Sequence, residues 1–354
     1  SWVTLQDLDV RAGSALTLSD VAATFLDRQI RISGGDGRIA FGAAREQSGR
    51  LTIKDIRHLG ETPLMRPLSL RLDVMGKGDL LKFEGALIAA GDRARLKMTG
   101  SHHLKTGVGG ARLQLGPVVF APGVLQPQDF APQLYRTLIE AVGAATAEAA
   151  IDWSPAGITR EHARLDLSVD KLRTSEIAVE QLTTKFELDG LLPLKSAGPQ
   201  RIYIGRLDLG VPMTRGVLDI NLISPERIDV EIDRFELFGG VITSQRLTID
   251  PTQQSFDAAL EVRGIDLASI LAFAEFGELT ATGKFEGRLP ISYRNGELRI
   301  HDGLIKTGAG GGVIRWLGLG LTTDFYLLLL LQTLHGLTFG AAHLGAMTYL
   351  QRYV

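Results

Sequence analysis

Apolar and polar residues alternate with a period of two through most of residues 1–315. Leu68, Leu70, Leu72 and Val74 enclose Ser69, Arg71 and Asp73, and Ala94, Leu96 and Met98 enclose Arg95 and Lys97. Leu165, Leu167 and Val169 repeat the pattern, and Ile228, Val230 and Ile232 alternate with Asp229, Glu231 and Asp233. Leu207/Leu209/Val211, Leu218/Ile220/Leu222, Phe256/Ala258/Leu260/Val262 and Leu298/Ile300 continue it. Successive side chains of a strand point to opposite faces, so each run predicts a strand with one apolar face. No helical pattern of comparable length competes with it before residue 316.

Turn signals separate the runs every 10 to 15 residues or so. Asn295-Gly296 predicts a two-residue hairpin between Ile291–Arg294 and Glu297–His301, because Asn-Gly accepts positive φ at both central positions. Gly34-Gly35-Asp36-Gly37, Asp189-Gly190, Gly239-Gly240 and Asp302-Gly303 read as turns of the same sort. The 41 glycines and 6% aromatic content suit many tight turns better than a few large cores. Helical signal is sparse. Leu134, Leu138, Ile139 and Val142 after Pro132 predict a helix to about Gly143, and Asp266 is positioned to cap a short one to Phe276. Leu18–Leu26 fits a turn or a strand. Phe186–Leu194 and Phe285–Ile291 share a strand running into a Leu-Pro-apolar step, which favours repetitive β-architecture.

Residues 325–350 differ in kind: 26 residues without Asp, Glu, Lys or Arg. As a helix they would reach about 39 Å, ample for a hydrocarbon layer of about 30 Å. Phe325, Leu328, Leu331, Leu334, Phe339, Leu344 and Leu350 are the expected membrane-facing positions. Gly336, Gly340, Ala341 and Gly345 would form a packing face.

The chemistry-bearing residues form no constellation. With no cysteine there is no disulfide, thiolate metal site or thiol nucleophile. A net charge of −2 leaves no footprint for nucleic acid. His102 and His103, adjacent in a strand, would point to opposite faces and clamp a metal poorly; a surface or turn role fits them better. The carboxylates of Glu226–Glu236 alternate as on a solvated strand face. Gly308–Gly312 lacks the following Lys-Ser/Thr or distant acid of a phosphate loop and reads as a close turn. The expectation is a protein that is not an enzyme and has no cofactor or metal.

So many half-apolar strands with so few helices leave a large apolar area to cover. Periodicity alone favours sheets that close on themselves as a sandwich or solenoid. An open sheet would need a ligand or partner on its apolar face.

Residues 277–315 bear on this choice. Gly283-x-x-x-Gly287-x-Leu289-Pro290-Ile291, Asp302-Gly303 and Gly311-Gly312-Val313-Ile314 resemble the carboxy-terminal part of YdbH-type proteins, in the AsmA-like group of bacterial envelope proteins. Phe235-Glu236-Leu237-Phe238-Gly239-Gly240 fits as well, and the resemblance extends over residues 1–315. It implies a mainly β fold, an elongated curled β-sheet forming a groove, with one or two short helices. It further implies an inner-membrane-anchored, periplasm-spanning bridge carrying phospholipid acyl chains between the membranes, without catalysis. On that reading the groove is lined by Leu68, Leu70, Leu72, Leu165, Leu167, Val169, Leu207, Leu209, Leu218, Ile220, Leu222, Ile228, Val230, Ile232, Phe256 and Leu260. An outer-membrane lipoprotein would dock by strand addition at the last strands.

Residues 316–354 depart from that family. Gln332-x-x-His335-Gly336-x-x-Phe339-Gly340-x-x-His343-Leu344-Gly345 resembles a phenylpropionate-permease-like segment of the major facilitator superfamily. The expectation is a β-groove domain over 1–315 joined, near Arg315–Trp316, to a transmembrane helix of transporter type. Beginning at Ser1 without Met or signal peptide, the chain reads as part of a longer one.

Overall fold

The computed structural model describes residues 13–316, apart from 27–28, 43–45, 62, 176, 192, 251–252, 254, 276–278, 295–296 and 301. The chain is mainly β, with an open, curled antiparallel sheet and one α-helix among the described residues. It divides into two compact units, Ser1–Ile202 and Tyr203–Val354.

The first unit is a meander. Its strands are β1 (Ala15–Phe25), β2 (Ile30–Phe41), β3 (Glu46–His58), β4 (Leu68–Lys77), β5 (Leu80–Ala89), β6 (Ala94–His103), β7 (Gly109–Phe120), β8 (Leu138–Ser154), β9 (Gly157–Thr174), β10 (Ala178–Leu191) and β11 (Leu194–Ser196). From β2 to β10 each pairs antiparallel with the strand before and after it in sequence, and β11 pairs with β10. β12 (Gln200–Asp208) spans the division between the units. Among the described residues no later strand returns to β1, so this sheet does not close. The closed sandwich favoured by periodicity is therefore not what forms.

The second unit contains β13 (Pro212–Ser224), β14 (Arg227–Leu237), β15 (Gly240–Ser244), β16 (Leu247–Ile249), β17 (Ser255–Asp266), α1 (Leu267–Phe273), β18 (Leu279–Arg294), β19 (Glu297–Ile300) and β20 (Leu304–Trp316). β15 and β16 each pair with β14, and β17 with β15 and β18. β19 and β20 share one side of β18, opposite 291–294 and 279–288. Pro290 lies between those stretches, where the lack of an N–H costs no ladder bond on that side. A row of apolar residues, Phe235, Ile242 and Val262, is buried across β14, β15 and β17.

Several expected turns are strands. Gly34–Gly37 lies inside β2, where the register shifts against β1, and Asp189-Gly190 lies inside β10 at a similar shift. Gly308–Gly312 is the bulged middle of β20, since Gly283 pairs with Gly312 but Phe285 with Thr307. Glycine in these places marks bulges, which bend a strand without ending it. Gly239 does turn the chain: Leu237 pairs with Gly240, leaving Phe238 (φ 46°) and Gly239 (φ 70°) as the two positive-φ residues of a tight hairpin. The Asn295-Gly296 residues lie outside the described set; the flanking Arg294 and Glu297 pair with each other.

The Pro132–Gly143 helix is a correction. Pro132–Arg136 forms one 3-10 turn, and Leu138 already begins β8. Leu138 and Ala141 are buried while Ile139 is exposed, so β-pairing to β9 outweighed a short helical pattern. Asp266 does cap α1, accepting from the Ser269 N–H at 2.9 Å. The Ser269 hydroxyl, donating at 2.7 Å, and that N–H hold the Asp266 carboxyl below the usual carboxylate range. Leu18–Phe25 is part of strand β1. Residues 317–354, with the expected membrane helix, lie outside the described residues. Among those described, no helix is long and apolar enough to cross a membrane.

Strand glycines let neighbouring backbones approach closely. A Cβ added at Gly85 would collide with the Arg71 carbonyl on β4, and one at Gly49 with Arg38 on β2. Gly85→Val is expected to lower stability by about 1–3 kcal/mol, as overpacking does. Ala86→Val, on the opposite face of β5, should stay within about 0.5 kcal/mol. Urea denaturation of both variants checks this.

Candidate functional site

Register turns the alternation of the first unit into rows that cross the strands. From β2 to β8, one row reads Gly35, Ile53, Leu70, Leu87, Leu96, Leu115, Ala147. The next reads Gly37, Leu51, Leu72, Gly85, Met98, Leu113, Ala149, and the third Ile39, Gly49, Val74, Phe83, Gly100, Ala111, Ile151. None of these residues has a polar side chain. The opposite face carries Arg50, Asp73, Glu84, Lys97, Arg112 and Glu148. There the Arg50–Asp73 (2.8 Å) and Lys97–Glu84 (3.2 Å) ion pairs are exposed, which limits each to about 0–1 kcal/mol. One face is therefore hydrocarbon and the other aqueous.

The fourth row is different. It reads Phe41, Gln47, Gly76, Leu81, His102, Gly109, Trp153, close to the strand ends. Trp153 lies over Gly109 and Phe83 over Gly100, in space that a Cβ would fill. Phe83 and Trp153 stack at 6.5 Å, and the His102 ring lies 6.2 Å from Trp153. Trp153 Nε1–H donates to His102 Nδ1 at 3.1 Å. His103 faces the other way and accepts from the Thr106 N–H at 3.3 Å. The pair thus divides as the sequence suggested, but His102 belongs to the apolar face rather than the surface.

At the other end of the strands, residues 121–136 form a strap. Its 3-10 turns, Pro127–Asp129 and Pro132–Arg136, cannot extend past their prolines. Leu125 and Phe130 pack with Ala90, Val118, Phe120 and Leu115, the last from the first apolar row. Arg93 ties the strap to the β5–β6 turn, donating to Ala90 O and Val124 O and pairing with Asp129 at 2.8 Å. Arg66 N–H donates to Phe130 O, and the Arg66 guanidinium to the Tyr135 hydroxyl at 2.9 Å. Burial opposes ionisation of Asp129, but Arg93 and the Gln126 N–H outweigh it and hold the carboxyl below its ordinary value.

The second unit has an apolar ladder of its own. Leu222, Ile228 and Ile249 align across β13, β14 and β16, as do Ile220, Val230 and Leu247, and Leu218 faces Ile232. All are half-buried. On the reverse face Glu226 and Asp233 are exposed, in keeping with a solvated face, but Asp229 is buried and departs from that reading. It accepts from Thr248 Oγ1 at 2.8 Å and from Arg227, and these hold its carboxyl below the usual range against the effect of burial.

The expected lining residues fall into both units. Leu70, Leu72 and Val169 are buried; Leu68, Leu165, Leu167, Leu207, Phe256 and Leu260 are half-buried. Leu209 is 51% exposed and follows the end of β12. Phe256 stacks on Tyr293 at 5.3 Å. The residues missed were Ile39 of β2, Leu51 and Ile53 of β3 and those of β5, β7 and β8, while Leu96 and Met98 of β6 were read as strand positions but not as lining. Leu81, Phe83 and Leu87 alternate with Lys82 and Glu84 and could have been found. Gly and Ala dilute the pattern in β7 and β8, and only the register reveals that they belong to the rows.

A single sheet with a charged face and an apolar face left without a covering sheet among the described residues defines a hydrophobic-groove protein. The chain belongs to the YdbH-like family: the model of the intermembrane phospholipid transport protein YdbH matches residues 3–334. That family works in the bacterial envelope. Neither a curated protein nor a solved structure matches the chain. The family match runs through Arg315–Trp316 and into the apolar tail, so the expected junction with a transporter segment has no support.

Arg93→Ala at pH 7 should free the strap, raising amide exchange at Leu125 and Phe130 roughly tenfold, the worth of about one hydrogen bond. The Asp129 contribution is fully present above its ordinary pKa of 3.8 and is lost as pH falls through the lower folded value. Wild-type exchange should therefore rise only in strong acid, and stay below that of the variant, because Arg93 still donates to Ala90 O and Val124 O.

Proposed function

We propose that the apolar face of the first unit is a path for phospholipid acyl chains, in a bridge across the periplasm between inner and outer membrane. The observation that carries this is the run of three rows over seven strands with no polar side chain. Each CH₂ taken from water onto such a face contributes about 0.8 kcal/mol, enough to hold a chain. A lining without hydrogen-bonding groups offers no fixed stopping points, so the chain can slide. Transfer on this reading involves no bond making or breaking, hence no catalytic residue and no cofactor. The half-buried ladder of Leu218, Ile220, Leu222, Ile228, Val230 and Ile232 continues the same chemistry in the second unit.

Inner-membrane anchoring is part of this reading and rests on the resemblance. So does docking of an outer-membrane lipoprotein. β20 pairs only with β18 among the described residues, and its other edge has the backbone chemistry for strand addition.

Protein purified from bacterial membranes is expected to carry phospholipid, detected by native mass spectrometry. Leu167→Asp and Val230→Asp should each abolish most of that lipid while leaving the thermal transition within a few degrees of wild type. Lipid-free wild-type protein, or unfolding of both variants, would instead indicate a structural β-module whose apolar face carries no lipid.

A further inference from the structure

We propose that His102 is the hydrogen-bond donor that receives an oxygen of the ester or phosphate region of a bound acyl lipid, with Trp153 fixing its orientation. This rests on the apolar face being the lipid path. The chemistry follows from the Trp153–His102 bond. An indole N–H can only donate, so His102 Nδ1, 3.1 Å away, must accept. A neutral imidazole that accepts at Nδ1 carries its proton at Nε2. Among the described residues no protein group accepts from that Nε2–H, although His102 is half-buried on the apolar face.

Position supports the same assignment. Three rows of the face contain only apolar side chains or glycine; polar atoms enter in the fourth, with Gln47, His102 and Trp153. Gln47 is 8% exposed, donates to Gly78 O at 3.0 Å and keeps an unpaired buried Oε1. A diacyl lipid has the same order along its length: hydrocarbon, then ester oxygens, then a charged head group. A lipid whose chains occupy the apolar rows presents its oxygens where the fourth row lies. Aromatic rings with one polar atom, such as Trp153, suit that boundary between apolar and wet surroundings.

His102→Phe keeps the ring and removes the donor, and His102→Gln restores one. Binding to the full chain is measured with a diacyl phosphatidylglycerol and, separately, with diphenylhexatriene, a hydrocarbon probe without oxygen. A free fatty-acid methyl ester forms a third arm. His102→Phe should weaken phospholipid binding roughly 3- to 10-fold, as loss of one hydrogen bond does. It should leave the hydrocarbon probe unchanged, and His102→Gln should recover most of the loss. Weakening of the methyl ester as well assigns the bond to the ester; weakening of the phospholipid alone assigns it to the phosphate. Equal phospholipid binding by wild type and His102→Phe overturns the proposal while the lipid path stands. Equal weakening for phospholipid and diphenylhexatriene also overturns it, showing His102 to be structural. If wild type binds neither probe, the lipid path itself fails.

Discussion

Everything in the first unit depends on strand register. Side chains alternate across a strand with a period of two, so a slip by one residue in any ladder would carry Arg71, Lys97 or Arg112 onto the apolar face. The charged residues of the outer face fix the register as firmly as the leucines of the inner one. Bulges change register only where two residues can share one position, as between Leu115 and Val118 opposite Ala147 and Ala145. In the ladders from β2 to β8 the shifts fall just beyond the first row, after Ile53 and after Leu115, so the apolar rows are not interrupted.

Given that register, glycine decides how closely the strands approach and how their rings lie. Gly35, Gly37, Gly49, Gly76, Gly85, Gly100 and Gly109 all fall in the four rows. Added side-chain atoms at Gly49, Gly85, Gly100 and Gly109 would come within 3.0 Å of neighbouring backbone. Without side chains at these positions the neighbouring backbones can approach closely on that face. The glycines thus serve strand packing and ring placement, in addition to turns.

Much of this was legible in the sequence. Alternation identified β4, β9, β13 and β14 and the sense of their faces, and Asp266 announced α1. Three kinds of information were not local. Whether the sheet closes depends on long-range pairing, and periodicity alone favoured closure. Gly34–Gly37 and Gly308–Gly312 look like turns, because a bulge and a turn use the same residue type for the same backbone freedom. Leu138–Val142 has helical spacing, yet the partner strand β9 supplies a full ladder that an isolated helical turn could not match. His102 was legible as a residue, but its role depends on Trp153, 51 positions away.

The meander of the first unit also governs how it can assemble. Strands that are neighbours in sequence are neighbours in space, so each new strand closes only a short loop against one already present. Loop-closure entropy stays small at every step, and folding rate falls as the sequence separation of contacts rises. Such a chain can grow from one end like a zip, hairpin upon hairpin, without awaiting its far terminus. The 121–136 strap is the exception: Gln133 reaches Leu64 across 69 positions, so it locks only after β3 to β7 have formed.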